Sequence, residues 1–290
     1  MKKILVPVDF SGHTDVTCNF ALEFARVSGA EILLFHTYFD QIIIADSSFP
    51  DTIDMSTMYN EELLKEVFHQ SEKNMEDLRK KVEEKARKEH IEGVTVRSAL
   101  AGGEIEPELR IICKEFKPDL VIIGSTGKGK TLNIWGKVST FIIDHAKVPV
   151  LIIPESAKNK SFKKIMLASD LSGNEEQLVY NLMNTFVRFP VTILFTHFTR
   201  NKVTEVLGQM EKLEARFAKE KSEGIISFHT VEIQEDNQSA INQFICDNHI
   251  DLIAFHPHKH GLFYLLFTKK ITKKNLLATN IPVVAVPVSG

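Results

Sequence analysis

An internal duplication constrains this chain more than any other feature. The run Lys2-Lys3-Ile4 through Asp9-Phe10-Ser11-Gly12 returns as Lys163-Lys164-Ile165 through Asp170-Leu171-Ser172-Gly173. The same offset lays 32–36 on 193–197. Further on, Ile112-Cys113 and Asp119-Leu120 return as Ile245-Cys246 and Asp251-Leu252, and Val148-Pro149-Val150 as Ile281-Pro282-Val283. Matches that keep their order along a chain mark a tandem repeat, here with a period too long for a solenoid. Whatever the first copy folds into, the second should fold into as well. The copies are placed at 1–154 and 162–290, with the polar stretch 155–161 as linker.

Within the first copy, short apolar runs alternate with helical spacing. Residues 3–8 (KILVPV), 31–36 (EILLFH), 94–100, 119–123 and 148–153 read as strands. Their apolar runs suit strands buried on both faces. Helices are expected over 13–29, 60–90, 104–116 and 137–146, and 38–59, which holds Pro50, reads as a loop. In the second copy the strands fall at 164–168, 191–197, 225–233, 251–255 and 282–286, and the helices at 174–187, 201–222, 238–248 and 270–278. This alternation predicts an α/β fold: two repeated, doubly wound, parallel five-stranded sheets, Rossmann-like and flanked by helices. In strand order 3-2-1-4-5 the winding reverses between strands one and four, and ligands bind at the carboxyl ends there. That order sets Asp9 beside Gly124.

After the fourth strand comes GSTGKGKTLNIWGKVST, residues 124–140. Glycines directly after a strand let backbone N–H groups converge on an anion, so the stretch predicts a phosphate cradle. GSTGKGKT also fits the P-loop pattern, with Gly129 in the turn, Lys130 on the outer phosphates and Thr131 on Mg²⁺. A P-loop helix would start at Lys130 and carry Gly136 in its middle, which is destabilising. It would also take Asp170 as a magnesium ligand, yet the duplication makes Asp170 part of the second copy's start.

Other chemistry is sparse. A net charge of −3 gives no field that favours nucleic acid or an anionic membrane. No apolar run reaches the length of a membrane span. Cys18, Cys113 and Cys246 lack metal-type spacing and fit buried thiols in a reducing cytoplasm. His256, His258 and His260 alternate in an expected loop. Such histidines can share a metal, but no cysteine or carboxylate lies close in sequence to complete the shell, so a polar loop is the plainer reading. His36 and His197 end equivalent strands and read as hydrogen-bonded structural groups. No nucleophile–base pair is visible, so at most slow ATP hydrolysis is expected.

The runs KKILVPVDFS, ILLFH, PDLVIIGSTGKG and WGKVSTFIIDHAKVPVLIIP resemble the universal stress protein family, and the likeness extends over nearly the whole chain, twice. Nucleotide-binding members read glycine, two residues, glycine, nine residues, glycine, then serine or threonine. Here Gly124 and Gly127 fit; eight residues then precede Gly136, and Lys137 stands where the hydroxyl is expected, with Ser139 and Thr140 just behind. The resemblance implies ATP or a related nucleotide in the first copy, with Mg²⁺ accompanying it. Pro7, Val8 and Asp9 would line the adenosine side, and Phe35 would lie near the base. Ile123, Gly124 and Gly127 would follow the ribose and first phosphates. Gly136, Lys137, Val138 and Ser139 would offer N–H groups to the outer phosphates, where Lys137 could also act as a point charge. In the second copy only Gly261 remains of these glycines, and no ATP is expected. The resemblance further implies that the copies pair antiparallel through 148–153 and 283–286, hiding two sheet edges; a homodimer of the tandem stays open. The implied function is a nucleotide-responsive stress protein acting through regulated association. The alternative is a scaffold of the same fold with a collapsed site.

Overall fold

The computed structural model describes residues 2–38, 55–125, 137–157, 162–199, 204–232, 237–257 and 281–288. In the first half, β1 (Lys3–Pro7), α1 (Thr14–Ser28), β2 (Glu31–Tyr38), α2 (Met55–Lys88), β3 (Val96–Gly102), α3 (Ile105–Phe116), β4 (Leu120–Gly124), α4 (Lys137–His145) and β5 (Val150–Ile153) follow one another. The second half has β6 (Lys164–Ser169), α5 (Glu175–Thr185), β7 (Thr192–Thr199), α6 (Thr204–Arg216), α7 (Ala218–Ser222), β8 (Ile226–Glu232), α8 (Asn237–Asn248), β9 (Leu252–Phe255) and β10 (Val283–Ala285).

The strands lie in the order β3-β2-β1-β4-β5-β10-β9-β6-β7-β8. Each half is parallel, as its alternating elements predicted, and wound in the expected order 3-2-1-4-5. The two five-stranded arrays are one continuous sheet. β10 lies antiparallel to β5, with Val283 opposite Ile152 and Ala285 opposite Val150. One face of the sheet is covered by α1, α2, α5 and α6, the other by α3, α4 and α8. On the first face, Phe24 of α1 meets Phe162, Phe186 and Phe189 at centroid distances of 5.7, 5.7 and 4.8 Å. Phe20 reaches Phe162 at 6.0 Å. Rings from both halves therefore share one core.

The duplication persists in fine detail. Asp119 Oδ2 accepts the N–H groups of Lys2 and Lys3 at 2.6 and 3.0 Å, and Asp251 Oδ2 accepts those of Lys163 and Lys164, both at 3.0 Å. In each half this carboxylate ties the start of the first strand to the start of the fourth. Phe10 and Leu171 are both left-handed, at φ 56° and 57°. His36 Nδ1 donates to Val8 O at 2.7 Å and His197 Nδ1 to Ser169 O at 3.0 Å, so both histidines pin the chain leaving the first strand.

Several boundaries differ from expectation by a residue or more, and three of the departures have a physical reason. α2 starts at Met55, inside the stretch read as loop, because Pro50 restricts the residue before it and not those well beyond it. β3 begins later, because pairing of Ile32 with Val96 sets its register. The helix expected over 201–222 breaks at Phe217, whose fully buried ring packs on Tyr180 at 5.1 Å. The helix expected at 270–278 lies outside the described residues.

Burial separates the thiols. Cys18 sits in the core, where desolvation pushes its pKa up to about 12. Burial also raises half-buried Cys113, while Cys246 is exposed. Thiolate is the reactive form. Labelling of the native protein with a disulfide reagent should modify Cys246 first, Cys113 slowly and Cys18 only on unfolding.

Candidate functional site

β1 and β4 are neighbours, and β2 and β5 leave them in opposite directions along the sheet. The winding therefore reverses between them, and in such sheets the crevice outside the carboxyl ends at this point is where ligands bind. On the β1 side, Val8 N–H donates to Phe35 O at 2.8 Å, which fixes the turn after Pro7. Asp9 Oδ1 accepts Ser11 N–H at 3.0 Å and Thr14 Oγ1 at 3.4 Å. Asp9 thus organises the entry to α1, which is the helix-starting role its position allows. Ser11 Oγ is buried and has no hydrogen-bond partner among the described residues. A buried hydroxyl with unused capacity is costly and calls for a partner.

On the β4 side, Ser139 Oγ donates to Gly124 O at 3.3 Å. This bond anchors the first turn of α4 at the end of β4. Ser125 is buried, and its N–H is taken by Ile153 O at 2.9 Å. Gly124 packs tightly against α1. A Cβ added there would lie 3.1 Å from His13 Nδ1 and 3.3 Å from Thr17 Oγ1. The structure thus brings Gly124 and Ser139 together, with Ile123 buried behind them. Phe35 is only 2% exposed, and its ring belongs to the core under α3 and α4. Lys137 and Val138 open α4. Gly127, Gly136 and the P-loop candidates Gly129, Lys130 and Thr131 lie outside the described residues.

The second half shows what happened to the equivalent place. The offset that relates Asp9 to Asp170 relates Thr14 to Glu175, and the one that relates Asp119 to Asp251 relates Gly124 to His256. Glu175 is buried, and its carboxylate accepts Ser169 Oγ at 3.1 Å and Gly173 N–H at 2.9 Å. His256 Nδ1 donates to Val286 O at 3.1 Å. The cavity left between Asp170, Glu175, Phe255 and His256 is about 10 Å³, room for a single water. A buried carboxylate there would also repel phosphate. Sequence reading missed Glu175, although aligning the copies past their strands places it opposite Thr14.

Among the described residues no group of three His, Cys, Asp or Glu side chains could hold a metal. His256 is engaged by the backbone, and His258 and His260 lie outside the described residues. No described helix is long and apolar enough to cross a membrane.

The profile of the Universal stress protein family matches residues 1–154. The chain is 24% identical over 159 residues to a universal stress protein of Methanocaldococcus jannaschii, across 52% of this chain and 94% of that one. Among solved structures it is similar to a universal stress protein from Archaeoglobus fulgidus, with TM-score 0.63 and 18% identity over 98% of this chain and 96% of that one. A Pseudomonas aeruginosa protein described as a universal stress protein aligns over 99% of this chain and 93% of its own, with TM-score 0.58 and 14% identity. These two likenesses are of fold.

Proposed function

The chain belongs to the universal stress protein family, and on that premise we propose that its first half binds ATP or a related nucleotide at the β1–β4 crevice and that the bound state regulates association with partners. The contrast between the two halves carries this reading. The same fold is filled by Glu175 and His256 at one crevice and keeps Thr14 and Gly124 at the other. Residues 162–290 then act as a universal stress domain without a site, docked for good through β10. Free thiols at Cys18, Cys113 and Cys246 support a cytoplasmic location.

In this reading Pro7, Val8 and Asp9 line the nucleoside, and Ser11 Oγ gains a partner from it. The start of α4, held by Ser139, receives the outer phosphates, because a helix N-terminus carries unpaired N–H groups and partial positive charge. Lys137 adds a full charge at that point, and Gly127 and Gly136 complete the backbone cradle. Mg²⁺ would arrive with the phosphates.

Calorimetric titration of the full chain with ATP should give one site per chain. Lys137→Glu should weaken ATP by about tenfold or more, as expected for one reversed charge beside a phosphate, and leave adenosine unchanged. No heat at millimolar ATP, with no nucleotide in the purified protein, would sink the proposal and favour the scaffold reading.

A further inference from the structure

A second cavity lies at the other end of the first half, where the chain enters β4 and β5. It runs between α3 and α4 and measures about 480 Å³, within the range of small-molecule sites. Its floor is apolar: Leu109, Val121, Phe141, Ile142 and Val148. Its rim is basic: Arg110, Lys114, Lys117, His145 and Lys147. Among the described residues no carboxylate lines it. The Arg110 guanidinium lies 4.8 Å from the Phe141 ring centroid, and Phe141 stacks on His145 at 4.4 Å. One wall is therefore a preformed stack of cation and rings.

Helix dipoles account for part of this charge, since Lys114 and His145 sit in the last turns of α3 and α4. They do not account for Arg110, which lies before that last turn. Nor do they account for the space.

We propose that the α3–α4 groove is a second ligand site, for a small amphiphilic anion: a medium-chain alkyl carboxylate whose tail lies on Leu109, Val121 and Phe141 and whose head meets Arg110, Lys114 and Lys147. Charge complementarity selects the anion and the apolar floor selects the tail. The site lies at the opposite strand ends from the nucleotide crevice, so it stands or falls separately from ATP binding.

The test is calorimetry of the full chain with octanoate and decanoate below their micelle concentrations. Binding should saturate at one site, tighten about fourfold per added methylene and weaken with salt. Lys114→Glu combined with Lys147→Glu should weaken it at least tenfold; both side chains are exposed, so folding is spared. In a Cys246→Ser background, decanoate should slow labelling of Cys113, which lines the groove. Failure to saturate, indifference to the charge reversals, or unchanged Cys113 labelling would overturn the proposal. So would occupation of the groove by an acidic amphipathic peptide while decanoate fails to bind.

Discussion

Phe24→Ala should cost the protein about 3–5 kcal/mol of stability, the range for emptying a buried aromatic site. Phe24 is fully buried, and its neighbours Phe162, Phe186 and Phe189 come from beyond the end of the first half. The ring is thus a joint as well as a core residue. Removing it loosens α1 from the segment that follows α5 and leaves the Phe20–Phe162 contact and the β5–β10 ladder to hold the halves among the described residues. Urea unfolding measures the loss; a change under about 1 kcal/mol would show that the rings do not bind the halves together. Hydrogen exchange separates a joint from an ordinary cavity. Phe24→Ala should speed exchange in both β1 and β6. Phe217→Ala, equally buried but packed on Tyr180 within the second half, should leave β1 protected.

Gly124→Val should remove ATP binding and destabilise the fold by about 1–3 kcal/mol, the usual cost of overpacking. The reason differs from the one the sequence suggests. A glycine after a strand reads as room for a phosphate, yet the missing Cβ at Gly124 points at His13 and Thr17. Its first service is to let α1 approach β4. A side chain there shifts the start of α1 and, with it, the turn that Asp9 organises. The smaller change Gly124→Ala, combined with His13→Ala, isolates this route, because the second substitution clears the space the first one needs. The pair should recover part of both stability and ATP affinity relative to Gly124→Ala alone, a coupling that a double-mutant cycle measures. Recovery of stability without ATP affinity would mean that Gly124 meets the nucleotide directly.

The topology was legible because the sequence states it twice. Strand-sized apolar runs, a repeated Asp-x-Ser-Gly after the first strand and a repeated Asp before the fourth were enough to count five strands per copy, while the antiparallel join of the copies came from the family resemblance. Even Asp119 and Asp251, which read only as alignment marks, turned out to be the groups that tie two strand starts together. What stayed hidden depends on contacts between distant residues. Phe24 and Phe162 show no periodicity that links them. The break at Phe217 follows from where a ring can be buried, and helical spacing does not encode that. The register of β3 is chosen by β2 and not by its own residues. At the crevice, Gly124 and Ser139 were readable as members of one motif. The lost glycines of the second copy led to an expectation of no ATP there, but Glu175, the buried charge at that place, reads in isolation as an ordinary acidic residue at a helix start. The α3–α4 groove left no trace, because Leu109, Arg110 and Lys114 on α3 and Phe141, Ile142 and His145 on α4 mix polar and apolar positions as any surface helix would.

The antiparallel meeting of β5 with β10 has a consequence for valency. The halves run in opposite directions, so their crevices lie at opposite ends of the sheet. A pair of identical copies joined this way would present the same face at both ends and could link partners into a row. Here one end is filled by Glu175 and His256. Under the proposed reading the molecule is polar where such a pair is symmetric: nucleotide would act at one end of the sheet and not at the other.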